Sequence, residues 1–161
     1  MEKTAATLDA TDPDLSAFRA RGGKLVLYHG WNDPAIPAPS TIRYYDSVVG
    51  RLGQRETEAF VRLYMVPGMQ HCGGGPGPNS FGQFGAAPSD EPQRNVTRAL
   101  ERWVETGEAP SAIVAAKYVD DDPAMGVKAT RLLCPYPQTA TYKGQGDPSD
   151  AARFGCTPGG L

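Results

Sequence analysis

Apolar residues along this chain fall into two alternating patterns. Residues 24–29 (KLVLYH) form a short continuous run between Gly22-Gly23 and Gly30, the pattern of a strand covered on both faces. Over 39–52, Ile42, Tyr45, Val48, Val49 and Leu52 recur at helical spacing, with Ser40 as the expected N-cap and Gly53 as the stop. A second apolar run over 60–66 ends at Pro67-Gly68. Strand, helix and strand in that order predict a βαβ unit, and so a parallel pair within an α/β sheet. Both runs are expected to leave open sheet edges, which recruit other chains.

The signal then thins. Residues 73–92 read GGGPGPNSFGQFGAAPSDEP, a Gly/Pro-rich segment too long for a plain connection and of the kind that serves a site. A helix resumes over 93–106, with Val96, Leu100, Trp103 and Val104 expected on its buried stripe and Gly107 as its stop. Residues 112–119 predict one more strand. Beyond 120 only 130–133 looks extended, so 120–161 is expected to be an irregular tail on a single partial α/β domain spanning 1–161.

Composition narrows the class without altering that outline. Apolar residues make up 40% of the 161, and 16 basic against 18 acidic side chains give a net charge of -2, the balance of an ordinary globular chain. With no Lys/Arg surplus to neutralise phosphates, nucleic acid is excluded as an expected partner. No run approaches the roughly 18 apolar residues of a membrane span, and the first ten residues lack a signal-peptide core, so neither a membrane nor a leader is expected. Three cysteines are an odd number, which leaves one thiol free or bonded outside the chain.

Candidate chemistry sits where α/β sheets usually hold it, in the loops at the carboxyl ends of the strands. The loop after the first run carries Asp33 and the loop after the second carries His71. A βαβ step brings consecutive strand ends side by side, so the two can meet. A carboxylate that fixes the tautomer of an imidazole is two-thirds of an acyl-transfer triad. The nucleophile is the missing third: none of Ser16, Ser40, Ser47, Ser80, Ser89, Ser111 and Ser149 has the flanking glycines of a Gly-x-Ser-x-Gly elbow.

Longer stretches add a family resemblance. Asp12-Pro13-Asp14-Leu15-Ser16, Gly22-Gly23-Lys24-Leu25, the loop YHGWNDPAIP over 28–37, the loop MVPGMQHCGGGPG over 65–77, ALERWVE over 99–105, and RLLCPYP over 131–137 with Gly155-Cys156 together resemble the C-terminal part of the tannase/feruloyl esterase family. The resemblance implies the C-terminal portion of an α/β-hydrolase sheet, from an extracellular or periplasmic serine esterase that cleaves esters of phenolic acids such as gallate or ferulate. It assigns Asp33 and His71 as the triad Asp and His. It also implies that Cys72 pairs with a cysteine directly before the nucleophilic serine. In the family the serine elbow, oxyanion hole and lid precede the matched part. The expectation is therefore a C-terminal fragment, inactive alone, whose full-length parent takes a phenolic ester and whose N-terminal half could be a separate partner chain. A non-catalytic α/β binding module is the alternative.

Other residues receive plainer readings. His29 is expected to pack or hydrogen-bond near the Asp loop rather than to form part of an oxyanion hole. The glycines of 73–77 lack the Lys-Ser/Thr of a phosphate loop, and no Cys-x-x-Cys or His-x-x-x-His spacing favours zinc, so no metal and no cofactor is expected. Cys134 and Cys156 are expected to form a disulfide that restrains the tail, a cross-link of about 3 kcal/mol for a loop of this size and a mark of an oxidising compartment.

Overall fold

The computed structural model describes Thr4 and residues 7–84 and 88–159. Its helices and strands run α1 (Ser16–Ala20), β1 (Leu25–Gly30), α2 (Ala38–Leu52), α3 (Gln54–Glu58), β2 (Val61–Val66), α4 (Val96–Thr106), β3 (Ile113–Tyr118), β4 (Val127–Leu133), β5 (Thr139–Tyr142) and β6 (Phe154–Thr157). β1 and β2 are parallel, in register from Leu25 opposite Val61 to Gly30 opposite Val66. The expected α/β unit is present, with α2 and the short α3 as its crossover.

Alternation along these strands feeds two cores. Leu25, Leu27, Val61, Leu63 and Met65 point to one face, where Tyr45, Ile42, Val49 and Leu52 of α2 cover them together with Phe60 and Phe18. Val26, Tyr28, Tyr64 and Val66 point to the other, against Val96 and Ala99 of α4, Ile113 and Ala115 of β3, and Leu133 of β4. A strand pair sandwiched in this way must be apolar at nearly every position, which is why both segments read as continuous runs rather than alternating ones.

Several boundaries differ from the sequence reading. The N-cap of α2 is Pro37 rather than Ser40, whose amide already donates to the Pro37 carbonyl at 2.8 Å inside the first turn. Pro39 is tolerated there because a first-turn N–H has no partner to lose. α4 starts at Val96 and not at 93, because Asn95 is extended and its side chain caps the amides of Thr97 and Arg98. Its buried stripe is Val96, Ala99 and Trp103, and Val104 is 59% exposed. Gly53 and Gly107 end their helices as expected, Gly107 in the left-handed conformation.

The tail differs most from expectation. Instead of one extended stretch, 120–161 holds β4 antiparallel to β3, and β5 antiparallel to β6. The four residues of β5, mostly exposed, are too few for an apolar alternation to stand out, and the pair is held by backbone bonds, the Tyr142–Phe154 ring contact and the hydrogen bond between the Thr141 and Thr157 hydroxyls. Cys134 and Cys156 are joined, with Cα atoms 5.6 Å apart. Just beyond Cys134, Pro135 bridges to Tyr64, the Tyr136 amide donates to the Leu63 carbonyl at 2.7 Å, and the Tyr136 ring meets Tyr45 edge-on. The tail thus occupies the second edge of β2, which corrects the expectation that this strand is left open. Among the described residues, β1 pairs with β2 alone. No described helix is long and apolar enough to cross a membrane.

Candidate active site

The site begins with the way two loops are sewn together. After β1 the chain turns at Gly30, where the Trp31 amide donates to the Val66 carbonyl at 3.0 Å and the Asn32 amide to the Met69 carbonyl at 3.0 Å. Any side chain at Gly30 would collide with this arrangement, because a Cβ there would lie 2.2 Å from the Met69 oxygen and 2.4 Å from that of Gln70. Met69 is itself fully buried in the core beside Val66 and Phe81, which anchors the second loop from below. Gly77 then folds back on Pro67, at a distance that also admits no side chain.

This stitching delivers Asp33 to His71. The Asp33 side chain is 3% exposed, and its Oδ2 accepts from His71 Nδ1 at 2.9 Å. Its Oδ1 accepts from the amides of Ala35 and Ile36 at 2.8 and 3.0 Å, an Asx-type turn over Asp33-Pro34-Ala35. The Ile36 amide above all, then the Ala35 amide and the His71 imidazole, hold the carboxyl down at about 2 against the opposing push of burial. Asp33 is therefore ionised throughout the neutral range. His71 is 53% exposed. With Nδ1–H given to Asp33, its Nε2 lies on the far side of the ring, unprotonated in the neutral form and open to a reactant. This is the state a general base needs.

The loop that follows His71 is pinned rather than free over its first half. Lys117 of β3 donates to the Gly75 carbonyl at 2.6 Å, Ser80 and Ala116 form a β-bridge, and the Gln83 side chain donates to the Cys72 carbonyl. Residues 85–87 of the expected 73–92 loop lie outside the described residues. Cys72 is a free thiol of intermediate burial with a positive φ of 59°. Trp31 and Ile36, on the loop that carries Asp33, are each 48% exposed and set apolar surface beside it.

A family model described as tannase and feruloyl esterase matches residues 1–157. The chain belongs to that family. An uncharacterised esterase of Xanthomonas campestris pv. campestris is 49% identical over 166 residues, which cover 94% of this chain and 29% of the relative. The mono(2-hydroxyethyl) terephthalate hydrolase of Piscinibacter sakaiensis is 46% identical over 150 residues, covering 91% of this chain and 22% of that enzyme. Among solved structures, an esterase from Aspergillus oryzae superposes with a TM-score of 0.86 at 33% identity, over 97% of this chain and 32% of that one. The chain thus spans less than a third of the length of each of these three proteins.

Sequence reasoning placed Asp33, His71, Cys72, Cys134 and Cys156 where they carry or border this geometry. His29 hydrogen-bonds on the Asp loop as expected, to the Ile36 carbonyl, whereas Met69 as the buried anchor and Gly30 as the point of loop contact were not anticipated. A methionine two residues before His71 and a glycine ending β1 were visible, but which backbone each would touch is a tertiary fact.

Proposed function

We propose that this chain carries the acid–base half of a serine carboxylic ester hydrolase acting on phenolic acid esters, with Asp33 and His71 as two members of the triad. The observation that carries the reading is the 2.9 Å bond from His71 Nδ1 to a buried, ionised Asp33, which leaves Nε2 accessible. In the reaction, Nε2 takes the proton from a serine hydroxyl as its oxygen attacks the ester carbonyl, and returns it to the departing alkoxide. A water, deprotonated by the same nitrogen, then hydrolyses the acyl-enzyme. Asp33 holds the tautomer and stabilises the imidazolium.

The serine is supplied by residues outside this chain, and with it the cysteine that bonds Cys72. The chain alone turns over no ester. Family membership supports the substrate class, and the exposed Trp31 and Ile36 offer apolar surface suited to an aromatic acyl group. The Cys134–Cys156 disulfide supports an oxidising location outside the cytoplasm.

The test is a chimera in which this chain replaces the matching segment of the Xanthomonas esterase. Methyl ferulate, methyl gallate and a terephthalate monoester are assayed side by side. Turnover by the chimera, reduced by about six orders of magnitude in His71→Ala, is the expected result, with none from the isolated chain. Turnover by the isolated chain that His71→Ala abolishes would overturn the assignment of the serine to another segment. Full chimera activity after His71→Ala would overturn the role of His71.

A further inference from the structure

Asp33 Oδ2 lies against two imidazoles, and the second belongs to no part of the pair described so far. His29, the penultimate residue of β1, places Nε2 at 3.2 Å from Asp33 Oδ2 and at 3.1 Å from the Ile36 carbonyl oxygen. Both neighbours are acceptors, so Nε2 carries the proton, which it donates to the Ile36 carbonyl while lying against Oδ2. On the other side of the ring, Nδ1 lies 2.7 Å from Thr41 Oγ1, in the first turn of α2. In the neutral ring with a protonated Nε2, Nδ1 is an acceptor, and the Thr41 hydroxyl donates to it. The His29 side chain is 10% exposed, so these bonds form in a site from which water is largely excluded.

We infer that His29 is a positioning residue for the Asp33–His71 pair. It touches neither the imidazole of His71 nor any reacting atom. Its Nε2–H holds the Ile36 carbonyl, whose residue's amide binds Oδ1, and its ring packs against Oδ2, so that the carboxylate presents Oδ2 to His71 in one orientation. The chain of bonds runs from Thr41 to His29, from His29 to the Ile36 carbonyl, from the Ile36 amide to Asp33 Oδ1, and from Asp33 Oδ2 to His71. One helix N-terminus, one strand and two loops thereby set a single tautomer. The kinetic consequence rests on the function proposed above, but the geometric one does not.

The chain has two histidines, so long-range 1H–15N NMR spectra of the folded, unmutated chain report both tautomers directly. His71 is expected as the Nδ1–H form and His29 as the Nε2–H form. His29→Phe, which keeps the ring volume without the donor, is expected to lower the Nδ1–H to Nε2–H ratio of His71 at least threefold. His29→Gln, whose amide nitrogen replaces the lost donor, is expected to restore it. Thr41→Val is expected to disturb the His29 tautomer and to move His71 in the same direction by less. In the esterase chimera, His29→Phe should lower kcat about tenfold with KM unchanged, and His29→Gln should recover most of it.

A folded His29→Phe chain with the His71 ratio unchanged overturns the inference and leaves the Asp33–His71 pair intact. If that variant fails to fold, Thr41→Val decides, and an unchanged tautomer at both histidines overturns it. Nε2–H at His71 in the unmutated chain would overturn the Asp33–His71 pairing itself, and with it both this inference and the proposed function.

Discussion

β1 and β2 are six-residue apolar strands of one parallel pair, each ending in a loop that holds one member of the acid–base pair, yet they live in different surroundings. β2 is buried at four of its six positions, has β1 on one edge, and has Pro135 and Tyr136 bonded to the other. β1 is half-buried at five of six positions and has a partner on one edge. The difference comes from the tail, which the disulfide holds against β2 and which never reaches β1. Two runs of equal apolar character thus become a core strand and a border strand, and the site straddles the boundary between them.

The sharpest way to break this comparison is to truncate one leucine in each strand. Leu63, fully buried in β2, should cost about 2–5 kcal/mol when replaced by Ala. Leu27 of β1, half-buried, should cost roughly 1 kcal/mol, near the centre of the general distribution. Urea unfolding of both variants measures the two values, and equal losses would mean that the strands are packed alike. Replacing Cys134 and Cys156 together by Ala should cost about 3 kcal/mol. It should also speed hydrogen exchange at the Tyr136 amide, because the tail would no longer be held on β2. A loss of stability with Tyr136 protection unchanged would show that the bridge stands without the disulfide.

Exchange in the unmutated chain probes the edges with a smaller effect. The Leu25 and Trp31 amides bond toward β2, so strand alternation turns the Leu27 and His29 amides toward β2 as well and those of Val26 and Tyr28 outward. Outward amides are expected to exchange at least tenfold faster than their neighbours, and uniform protection along β1 would mean that its outer edge is covered. The smallest effect concerns pH. Asp33 is held at about 2, below its ordinary 3.8, so its contribution to stability is fully present above pH 4 and is lost as pH falls toward 2. Its carboxyl 13C shift should therefore stay constant from pH 8 to 4, and a titration midpoint near 4 would refute the tight hydrogen bonding described.

Legibility followed the range of the interaction. The βαβ unit, the two glycine helix stops and the loops carrying Asp33 and His71 were readable because period and turn chemistry are local. Asn95 is of the residue type that caps helices, and its side chain sets the helix start at Val96 rather than at the expected 93. Val104 was misplaced because a stripe of four apolar residues on a short helix admits more than one face, and the packing partners chose Ala99 instead of Val104. β5 and β6 were illegible because they are four residues each, too short for a period to stand out.

By itself, the sequence determined that two apolar strands flank a crossover helix, that a carboxylate and an imidazole follow them, and that two cysteines could restrain the tail, because each follows from residue type and spacing alone. Only the tertiary structure decided that the tail seals β2 and not β1, that Met69 and Gly30 press the two loops into contact, and that His29 lies against the Asp33 oxygen that His71 donates to. These outcomes depend on which distant backbone reaches which edge, and on distances of about 3 Å between residues that no local period relates.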